Sequence, residues 1–306
     1  MDYYHKSVLL DEVIEFLEVK NIRNGVFLDC TFGGGGHSKA ILDLSSDNSV
    51  IGIDQDVDAI NSGHENMCKY KDRLILVHDN YSNFEEILEN LKIKQVDGIL
   101  IDSGVSSYQL DCPDRGFSYR YDAPLDMRMN QTVNLTAADV VNTYSEKMIA
   151  DIIYEYGEER FSRKIAKAII TNRKTKKIET TFELVNIIRK NVYSCDKHPA
   201  KRTFQALRIF VNNELQVLRN TIEKMCEILR INGRMAIITF HSLEDRIVKN
   251  AYKYLSGRSN CSENHITECH NKVANIITKK PIYPSKREIF LNSRAKSAKL
   301  RVLQKV

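Results

Sequence analysis

The stretch VFLDCTFGGGGHS, residues 26–38, decides the fold class. A short apolar run ends at Asp29, four glycines follow, and a helix-forming segment begins near His37. Because glycine lacks a Cβ atom, the backbone can take positive φ angles and approach a ligand closely, while the first N–H groups of the following helix can donate to that ligand. The pattern predicts a strand, a bare turn and a helix that hold a nucleotide-like cofactor, with a purely structural turn as the alternative.

Two common phosphate-binding fingerprints fit this turn poorly. Residues 38–40, SKA, supply a lysine without the preceding glycine or the following hydroxyl of a P-loop. The dinucleotide fingerprint G-x-G-x-x-G, counted from Gly33 or Gly34, meets a serine or a lysine where its third glycine belongs. An acid that closes the strand, Asp29, followed by a glycine turn resembles instead the first motif of S-adenosylmethionine-dependent methyltransferases.

Length and composition predict a soluble globular protein of one large or two moderate domains. Of its 306 residues 42% are hydrophobic and 28% charged, and no apolar run approaches the ~20 residues that a membrane span requires. The first residues, MDYYHK, lack the charged flank and apolar stretch of a secretory signal. Seven cysteines without regular spacing suit reduced thiols better than a disulfide framework. We therefore expect a cytoplasmic protein without a membrane partner.

The positive charge is concentrated at the end of the chain. From Lys279 onward nine Lys or Arg residues face one acid, Glu288, so this segment carries +8, whereas the rest of the chain sums to −3 (5 − 8). A cationic segment on a slightly acidic body favours a polyanionic partner such as RNA. An ordinary solvated surface is the alternative.

Three further apolar runs lead into acidic residues. The first ends at Asp54, 21 residues after Gly33, where a carboxylate can accept both ribose hydroxyls of NAD or of S-adenosylmethionine. The next two lead to Asp79 and Tyr81 and to Asp102. Because the C-terminal ends of parallel strands face the ligand crevice of an open α/β sheet, these side chains should converge on the site begun by the glycine turn. An unrelated acid at the end of a strand is the alternative for Asp54.

After Asp102 the strand pattern stops, and it resumes only at residues 234–240. The intervening sequence carries helical apolar stripes. The sequence therefore predicts an α/β fold with an inserted all-helical domain, composed of a discontinuous core, residues 1–110 and 208–306, and an insert, residues 111–207.

The insert carries a capping box and a second basic cluster. Thr180 and Glu183 have the capping-box spacing that opens a helix. The basic cluster suits either an RNA-facing surface or a solvated helix face, and it comprises Arg160, Arg163, Lys164, Lys167, Arg173, Lys174, Lys176 and Lys177.

Seven motifs, in order along the chain, go beyond a generic methyltransferase. They are TFGGGGHS (31–38), GVSSYQLD (104–111), RGFS (115–118), PLDMRM (124–129), YGEER (156–160), RTFQALR (202–208) and FHSLEDR (240–246). Together they resemble the bacterial small-subunit (16S) ribosomal RNA cytosine-N4 methyltransferase family. The resemblance implies a Rossmann-like class I methyltransferase core, which has a mainly parallel sheet with helices on both faces, and an inserted helical domain for RNA. It also implies N4 methylation of a cytidine in the decoding region of the 16S rRNA in the small ribosomal subunit.

The resemblance also assigns contacts to the cofactor S-adenosylmethionine. It places the glycine turn and its histidine on the cofactor, one carboxylate on the ribose, one aromatic ring near the adenine and two polar residues beside the methionine end. In that order these residues are Gly35, Gly36, His37, Asp54, Tyr81, Asp102 and Gln109.

The chemistry of the acceptor points to two catalytic candidates. Cytosine N4 is a poor nucleophile because its lone pair is delocalised into the ring, so an acceptor for an amino hydrogen would help the transfer. Asp102 is the first candidate for that acceptor, although it could instead bind only the amino group of the cofactor. His241, which follows the next predicted strand, is the second candidate for the base or for a substrate contact, with a plain histidine at the end of a strand as the alternative.

An unpaired target base also needs stacking partners. The aromatic residues of the loop entering the insert and of the segment leaving it are candidates, with core packing as the alternative. They are Phe117, Tyr119, Tyr121 and Phe204.

Three rival functions and one possible metal site are the alternatives to this interpretation. The rivals are an NAD-dependent oxidoreductase, a non-catalytic RNA-binding assembly factor and a DNA amino-methyltransferase. The spacing of Cys261, His265, Cys269 and His270 is irregular for zinc, so we expect no metal and a variable loop there. A homodimer is an open expectation.

Overall fold

The computed structural model describes residues 7–192, 198–258 and 271–306. The chain divides into two compact units. One comprises Met1–Gly104 with Leu215–Val306 and is called the core unit, and the other comprises Val105–Glu214 and is called the helical unit.

In the described ranges, the core unit contains one seven-stranded sheet in the order β3-β2-β1-β4-β5-β7-β6. Strands β1 to β5 are parallel, and β7 runs antiparallel to both β5 and β6. The strands are β1 (Val26–Asp29), β2 (Ser49–Asp54), β3 (Leu74–His78), β4 (Val96–Asp102), β5 (Leu229–Thr239), β6 (Ala274–Ile276) and β7 (Lys299–Lys305).

The helices of the described ranges lie mainly between these strands and in the long segment between β4 and β5. They are α1 (Leu10–Phe16), α2 (Gly36–Leu44), α3 (Val57–Asn66), α4 (Phe84–Asn90), α5 (Ser107–Asp111), α6 (Ala137–Thr143), α7 (Glu146–Gly157), α8 (Ser162–Arg173), α9 (Thr181–Asn191), α10 (Lys201–Val211), α11 (Glu214–Glu227), α12 (Ser242–Leu255) and α13 (Lys286–Leu291).

The central strands are buried on both faces, which explains their nearly continuous apolar sequences. Successive residues of a strand point to opposite faces, so Phe27 joins one apolar cluster while Leu28 joins the other. The strand order reverses direction between β1 and β4, and open α/β sheets bind ligands at such a switch point. With one antiparallel strand beside β5, this is the Rossmann-like core of a class I methyltransferase, and the predicted fold class is confirmed.

The helical unit has its own apolar core, built from α6 to α10. Thr180 Oγ1 accepts from the Glu183 N–H at 3.3 Å, and the Glu183 carboxylate accepts from the Thr180 N–H at 3.2 Å. The predicted capping box at the start of α9 is therefore present. Gly116 has φ 71°, and a Cβ atom there would lie 2.3 Å from the Pro124 carbonyl oxygen, so only glycine fits this turn.

Along the sequence, the boundaries between the two units fall between residues 104 and 105 and between residues 214 and 215. The expected boundaries were between residues 110 and 111 and between residues 207 and 208. The physical reason lies in the packing of the connecting segments. Leu110 of α5 and Val211 of α10 both pack in the apolar core of the helical unit. None of the described helices is long and apolar enough to cross a bilayer.

Candidate active site

Carboxylates stand at the ends of three neighbouring strands. Asp29, Asp54 and Asp102 are the last residues of β1, β2 and β4. These strands are parallel and adjacent, so the three side chains reach the same edge of the sheet. The strand ends therefore converge as the sequence predicted.

The glycine turn is open on one side and tied down on the other. Gly33 and Gly35 have φ angles of 51° and 72°, and a Cβ atom on Gly35 would lie 2.6 Å from the Phe32 ring. A Cβ atom on Gly34 would meet nothing within 4 Å. The turn thus packs closely against the core while its middle faces open space that a ligand can occupy.

Asp54 holds the glycine turn in place. Its two carboxylate oxygens accept from the Gly33 N–H at 2.7 Å and from the Asp56 N–H at 2.9 Å. Burial raises its pKa to about 6, with a smaller contribution from the negative charges of Asp56 and Asp29. An ionised carboxylate offers about four acceptor positions, so two remain for ligand hydroxyls.

Asp29 is a buried member of the site that was not among the predicted contacts. It accepts from Ser38 Oγ at 2.6 Å and from the Thr31 N–H at 3.3 Å, which ties the first turn of α2 to the end of β1. Burial raises its pKa to about 6. The sequence marks Asp29 as the acid that closes the strand before the glycine turn, although not as a cofactor contact.

Among the three carboxyl groups, that of Asp102 has the pKa that departs most from its ordinary value. Its backbone N–H donates to Thr31 Oγ1 at 2.7 Å, and among the described residues its Oδ1 has no hydrogen-bond partner. Burial raises its pKa to about 8, and the negative charges of Asp29 and Glu244 add to the effect. This carboxyl group can therefore exchange a proton near neutral pH.

His37 faces Asp102 as a neutral imidazole. Its Nε2 lies 3.0 Å from the Val8 carbonyl oxygen, which can only accept, so the proton is assigned to Nε2. Burial lowers the pKa of His37 to about 4. The unprotonated Nδ1 then points toward Asp102, with 4.0 Å between Nδ1 and Oδ2.

His241 follows β5 and caps α12. Its Nδ1 accepts from the Glu244 N–H at 3.4 Å, and the Glu244 carboxylate accepts from the Phe240 N–H at 2.8 Å. His241 Nε2 lies 3.0 Å from Glu244 Oε1, although among the described residues it has no aligned hydrogen-bond partner. The ring thus reaches the same sheet edge but is already used to open a helix.

Residues 2–306 match the family model described as the MraW methylase family. The chain belongs to the MraW methylase family. Two relatives that cover all of this chain and are themselves fully covered are named "Ribosomal RNA small subunit methyltransferase H": one from Clostridium botulinum strain Kyoto is 53% identical, and one from Clostridioides difficile strain 630 is 50% identical.

Solved structures are more distant. An rRNA methylase from Streptococcus thermophilus has a TM-score of 0.39 and 12% identity, covering 97% of this chain and 93% of that chain. This similarity is too low to support a conclusion. The family match, by contrast, makes the chain a methyltransferase whose methyl donor is S-adenosylmethionine, and it rules out the NAD-dependent oxidoreductase.

The other predicted cofactor contacts lie in different units. Tyr81 opens a short 3-10 turn, Tyr81–Asn83, directly after β3 and packs half-buried against the core unit's apolar cluster. Gln109 is buried in the helical unit, where its Oε1 accepts from the Ser106 N–H at 3.0 Å in the capping box of α5. Neither assignment as a cofactor contact is tested by these positions.

Several predicted RNA-facing cations are already engaged within the protein. In the core unit, Lys299 and Arg301 both contact the Asp245 carboxylate, at 3.2 and 2.7 Å. In the helical unit, Arg173 donates to the Val141 carbonyl oxygen at 2.8 Å, and Lys176 pairs with Glu183. The exposed cations that remain in the helical cluster are Arg160, Arg163, Lys164, Lys167, Lys174 and Lys177.

The four candidate stacking residues differ in how far their side chains are buried. Phe117 and Phe204 are buried in the helical unit's apolar core, so packing accounts for both. Tyr119 already stacks on His198, with ring centroids 4.4 Å apart and planes 7° apart. Tyr121 is exposed and is the best placed of the four to meet a base.

No metal-binding group of three His, Cys, Asp or Glu side chains occurs within residues 7–192, 198–258 and 271–306. Cys261, His265, Cys269 and His270 lie outside the described residues.

Proposed function

We propose that this chain transfers a methyl group from S-adenosylmethionine to N4 of a cytidine in the decoding region of the small-subunit rRNA. The observation that carries the proposal is the full-length match to relatives named "Ribosomal RNA small subunit methyltransferase H" at 50–53% identity. The seven motifs of the sequence support the same substrate. Such a substrate would place the enzyme in the cytoplasm.

The core unit supplies a cradle that suits the cofactor. Asp54 keeps two acceptor positions for ribose hydroxyls, and the turn is open to a ligand at Gly34, whereas Gly35 and Gly36 would present their backbone to the cofactor. The buried Oδ1 of Asp102, which has no hydrogen-bond partner in the part of the chain that the structure describes, suits a donor such as an amino group. Bound there, the cofactor supplies an electrophilic methyl group on a sulfonium.

The remaining proposed contacts depend more on the resemblance. His37 stays a proposed cofactor contact through the resemblance, and its ring is buried and hydrogen-bonded to the Val8 carbonyl oxygen. Tyr81, at the end of β3, is proposed for the adenine. Gln109 stays a proposed contact through the resemblance alone.

Asp102 is the proposed acceptor for the proton that N4 loses. When the N4–methyl bond forms, one amino hydrogen must leave, and a carboxylate that accepts it also localises the lone pair on N4. A base works best when its pKa lies near the operating pH, and burial brings Asp102 to about 8. The neutral Nδ1 of His37, 4.0 Å away, adds no positive charge that would weaken this base.

A purely cofactor-binding Asp102 is the alternative role. A bound ammonium group would favour the ionised carboxylate and lower its pKa. The two roles separate experimentally, because loss of a cofactor contact weakens cofactor affinity, whereas loss of a base slows the transfer at saturating cofactor.

His241 is proposed as a positioning residue rather than as the base. Its Nδ1 is used to cap α12, and its Nε2 lies beside the Glu244 carboxylate. These contacts fix the segment that follows β5 at the ligand edge of the sheet.

The helical unit, including the expected insert 111–207, is proposed to recognise the rRNA. Its exposed cations supply contacts to phosphates, and exposed Tyr121 supplies a face for a base. Recognition of the assembled small subunit, and action as a homodimer, stay predictions.

Nucleoside analysis tests the proposed function. Small subunits or their rRNA are incubated with the protein and S-adenosylmethionine, digested and analysed by mass spectrometry. We expect N4-methylcytidine at one site. A methyl group on another nucleoside would contradict the proposal, and no transfer at all would favour a non-catalytic assembly factor.

A further inference from the structure

The core unit carries an exposed aromatic and basic surface to which the proposed function gives no role. Phe290 is 88% exposed, Leu291 71% and Tyr283 59%, although large apolar side chains are usually buried. Lys286 and Arg287, on the same short helix as the first two, are also exposed. These five residues are called the α13 surface.

The α13 surface is held in a fixed position. Ser285 Oγ caps α13 by accepting from the Glu288 N–H at 3.1 Å, and Glu288 Oε1 accepts from the Leu9 N–H at 2.7 Å. Ile282 and Leu300 exchange two backbone hydrogen bonds, both at 2.9 Å. Phe290 and Leu291 are therefore presented outward by an anchored segment rather than by a loose end.

The surface lies at the ligand edge of the sheet. Strand β7 is antiparallel to β5 and pairs Lys299 with Thr239, so the segment before Lys299 emerges where β5 ends. Leu9, which anchors Glu288, follows Val8, whose carbonyl oxygen accepts from His37 beside Asp102. The same short segment thus connects the α13 surface to the proposed active site.

The segment from Lys279 onward, which contains the α13 surface, is almost entirely cationic. Glu288 is the one acid from Lys279 onward, and its carboxylate is turned to the Leu9 N–H. Lys299 and Arg301 are paired with Asp245, so the positive charge that reaches solvent comes from other residues. The exposed cations of this segment are Lys279, Lys280, Lys286, Arg287 and Lys296.

These features favour RNA over a second copy of the chain. A stable dimer interface needs about 800 Å² per partner, and a contact related by twofold symmetry would bring this cationic surface against itself. Single-stranded RNA instead offers phosphates to the cations and flat bases that stack on aromatic rings.

We infer that the α13 surface binds single-stranded RNA next to the target cytidine, with a base stacked on Phe290 and with Lys286 and Arg287 near the adjoining phosphates. The inference rests on the proposed function for the identity of the RNA. It adds a contact on the core unit, separate from the proposed recognition by the helical unit.

The test measures binding of a labelled single-stranded RNA of the decoding-region sequence to the full chain, in the presence of S-adenosylhomocysteine. Phe290→Ala should weaken binding about tenfold, since one stacked base contributes about 1–3 kcal/mol and 1.4 kcal/mol is a factor of ten. Phe290→Trp should retain binding, whereas Phe290→Leu should lose as much as the alanine variant because it lacks a flat ring.

Matched controls lie at the opposite edge of the sheet. Ile231 is 64% exposed near the start of β5, and Ile231→Ala should leave RNA binding unchanged. Lys286→Gln with Arg287→Gln should reduce the slope of log affinity against log salt by up to ~0.7 per lost phosphate contact. Lys71→Gln with Lys94→Gln, which precede β3 and β4, should leave the slope as it is.

Unchanged RNA affinity in Phe290→Ala would overturn the inference, and so would full binding by Phe290→Leu, which would indicate a merely apolar contact. Loss of a dimer in light scattering, or loss of binding to anionic lipid vesicles, with RNA affinity intact would assign the surface to those partners instead. Failure of the proposed function is distinguishable, because it appears as absent N4-methylcytidine with the wild-type chain, whereas this readout needs no methyl transfer.

Discussion

Three acids at the strand ends of the core unit and two acids at helix starts of the helical unit have pKa values shifted in opposite directions. In the core unit, burial raises the pKa values of Asp29, Asp54 and Asp102 to about 6, 6 and 8. In the helical unit, the Thr136 hydroxyl lowers the pKa of Asp139 and the Lys176 ammonium lowers that of Glu183. Asp139 and Glu183 open helices, whereas folding disfavours the ionised forms of Asp29, Asp54 and Asp102. Such disfavoured groups mark a functional site.

The contrast extends to the dependence of stability on pH. A carboxyl group whose pKa is raised by folding binds more protons in the folded state, so its contribution to stability is greatest below the unfolded pKa and is lost as pH rises through the folded value. For Asp29, Asp54 and Asp102 together this window runs from about pH 4 to about pH 8. For Asp139 and Glu183 the sign reverses, and stability is lost as pH falls below the unfolded value.

Asp102→Asn should produce the largest effect and should separate activity from stability. Removing the proton acceptor should reduce kcat by on the order of 10²–10⁴-fold, while the free energy of unfolding at neutral pH should increase because the amide has no charge to desolvate. Single-turnover transfer and urea unfolding measure the two quantities. Wild-type kcat, or a parallel loss of stability, would contradict the contrast between the units.

Asp54→Ala should weaken cofactor binding by about 1–3 kcal/mol, because buried ribose hydroxyls lose their acceptor. The Gly33 and Asp56 N–H groups lose an acceptor too, so the glycine turn should loosen. Calorimetry with S-adenosylhomocysteine measures the affinity, with RNA affinity as the control. An unaltered cofactor affinity would show that Asp54 serves only the turn.

Lys174→Gln with Lys177→Gln should flatten the salt dependence of RNA binding, by up to ~0.7–0.9 log units per lost phosphate contact. The matched pair, Arg173→Gln with Lys176→Gln, removes cations that already contact Val141 and Glu183, so its salt slope should change less and its stability more. Cofactor affinity should stay constant in both pairs. Equal slopes in the wild type and in Lys174→Gln with Lys177→Gln would make this cluster a solvated helix face.

Thr180→Ala should have the smallest effect, a loss of about 1 kcal/mol of stability. The variant removes the hydroxyl that accepts from the Glu183 N–H at the start of α9. Thermal unfolding measures the loss, and the affinity for S-adenosylhomocysteine should not change. A weakened cofactor affinity would show that the helical unit's acids are not purely structural.

Much of the core unit could be predicted because short stretches of neighbouring residues determine its strand ends and turns. An apolar run followed by an acid predicts a strand end, and parallel strands then bring Asp54 and Asp102 to one edge whatever the loops do. The capping box at Thr180 could be predicted for the same reason, since it depends on residues three positions apart.

Other features depend on partners distant in sequence. The sequence places Lys299 and Arg301 in a cationic segment that could face RNA. In the structure β7 places both side chains against Asp245 on α12. His241 was a candidate base, yet its ring caps a helix, a position more often taken by Ser, Thr, Asn or Asp. The exposure of Phe290 could not be predicted from the sequence either, because an apolar residue in a helix is ordinarily assigned to the core.

The pH dependence of the methyl transfer step tests the role of Asp102 most directly. Single-turnover transfer to rRNA is measured at saturating S-adenosylmethionine for the wild type and for Asp102→Asn. The wild-type rate should rise with pH as Asp102 loses its proton, at a pH set by the pKa of Asp102 in the cofactor complex, and the Asp102→Asn rate should be low and lack that rise. An Asp102→Asn variant with the wild-type rate and the same rise would show that Asp102 does not accept the proton from N4.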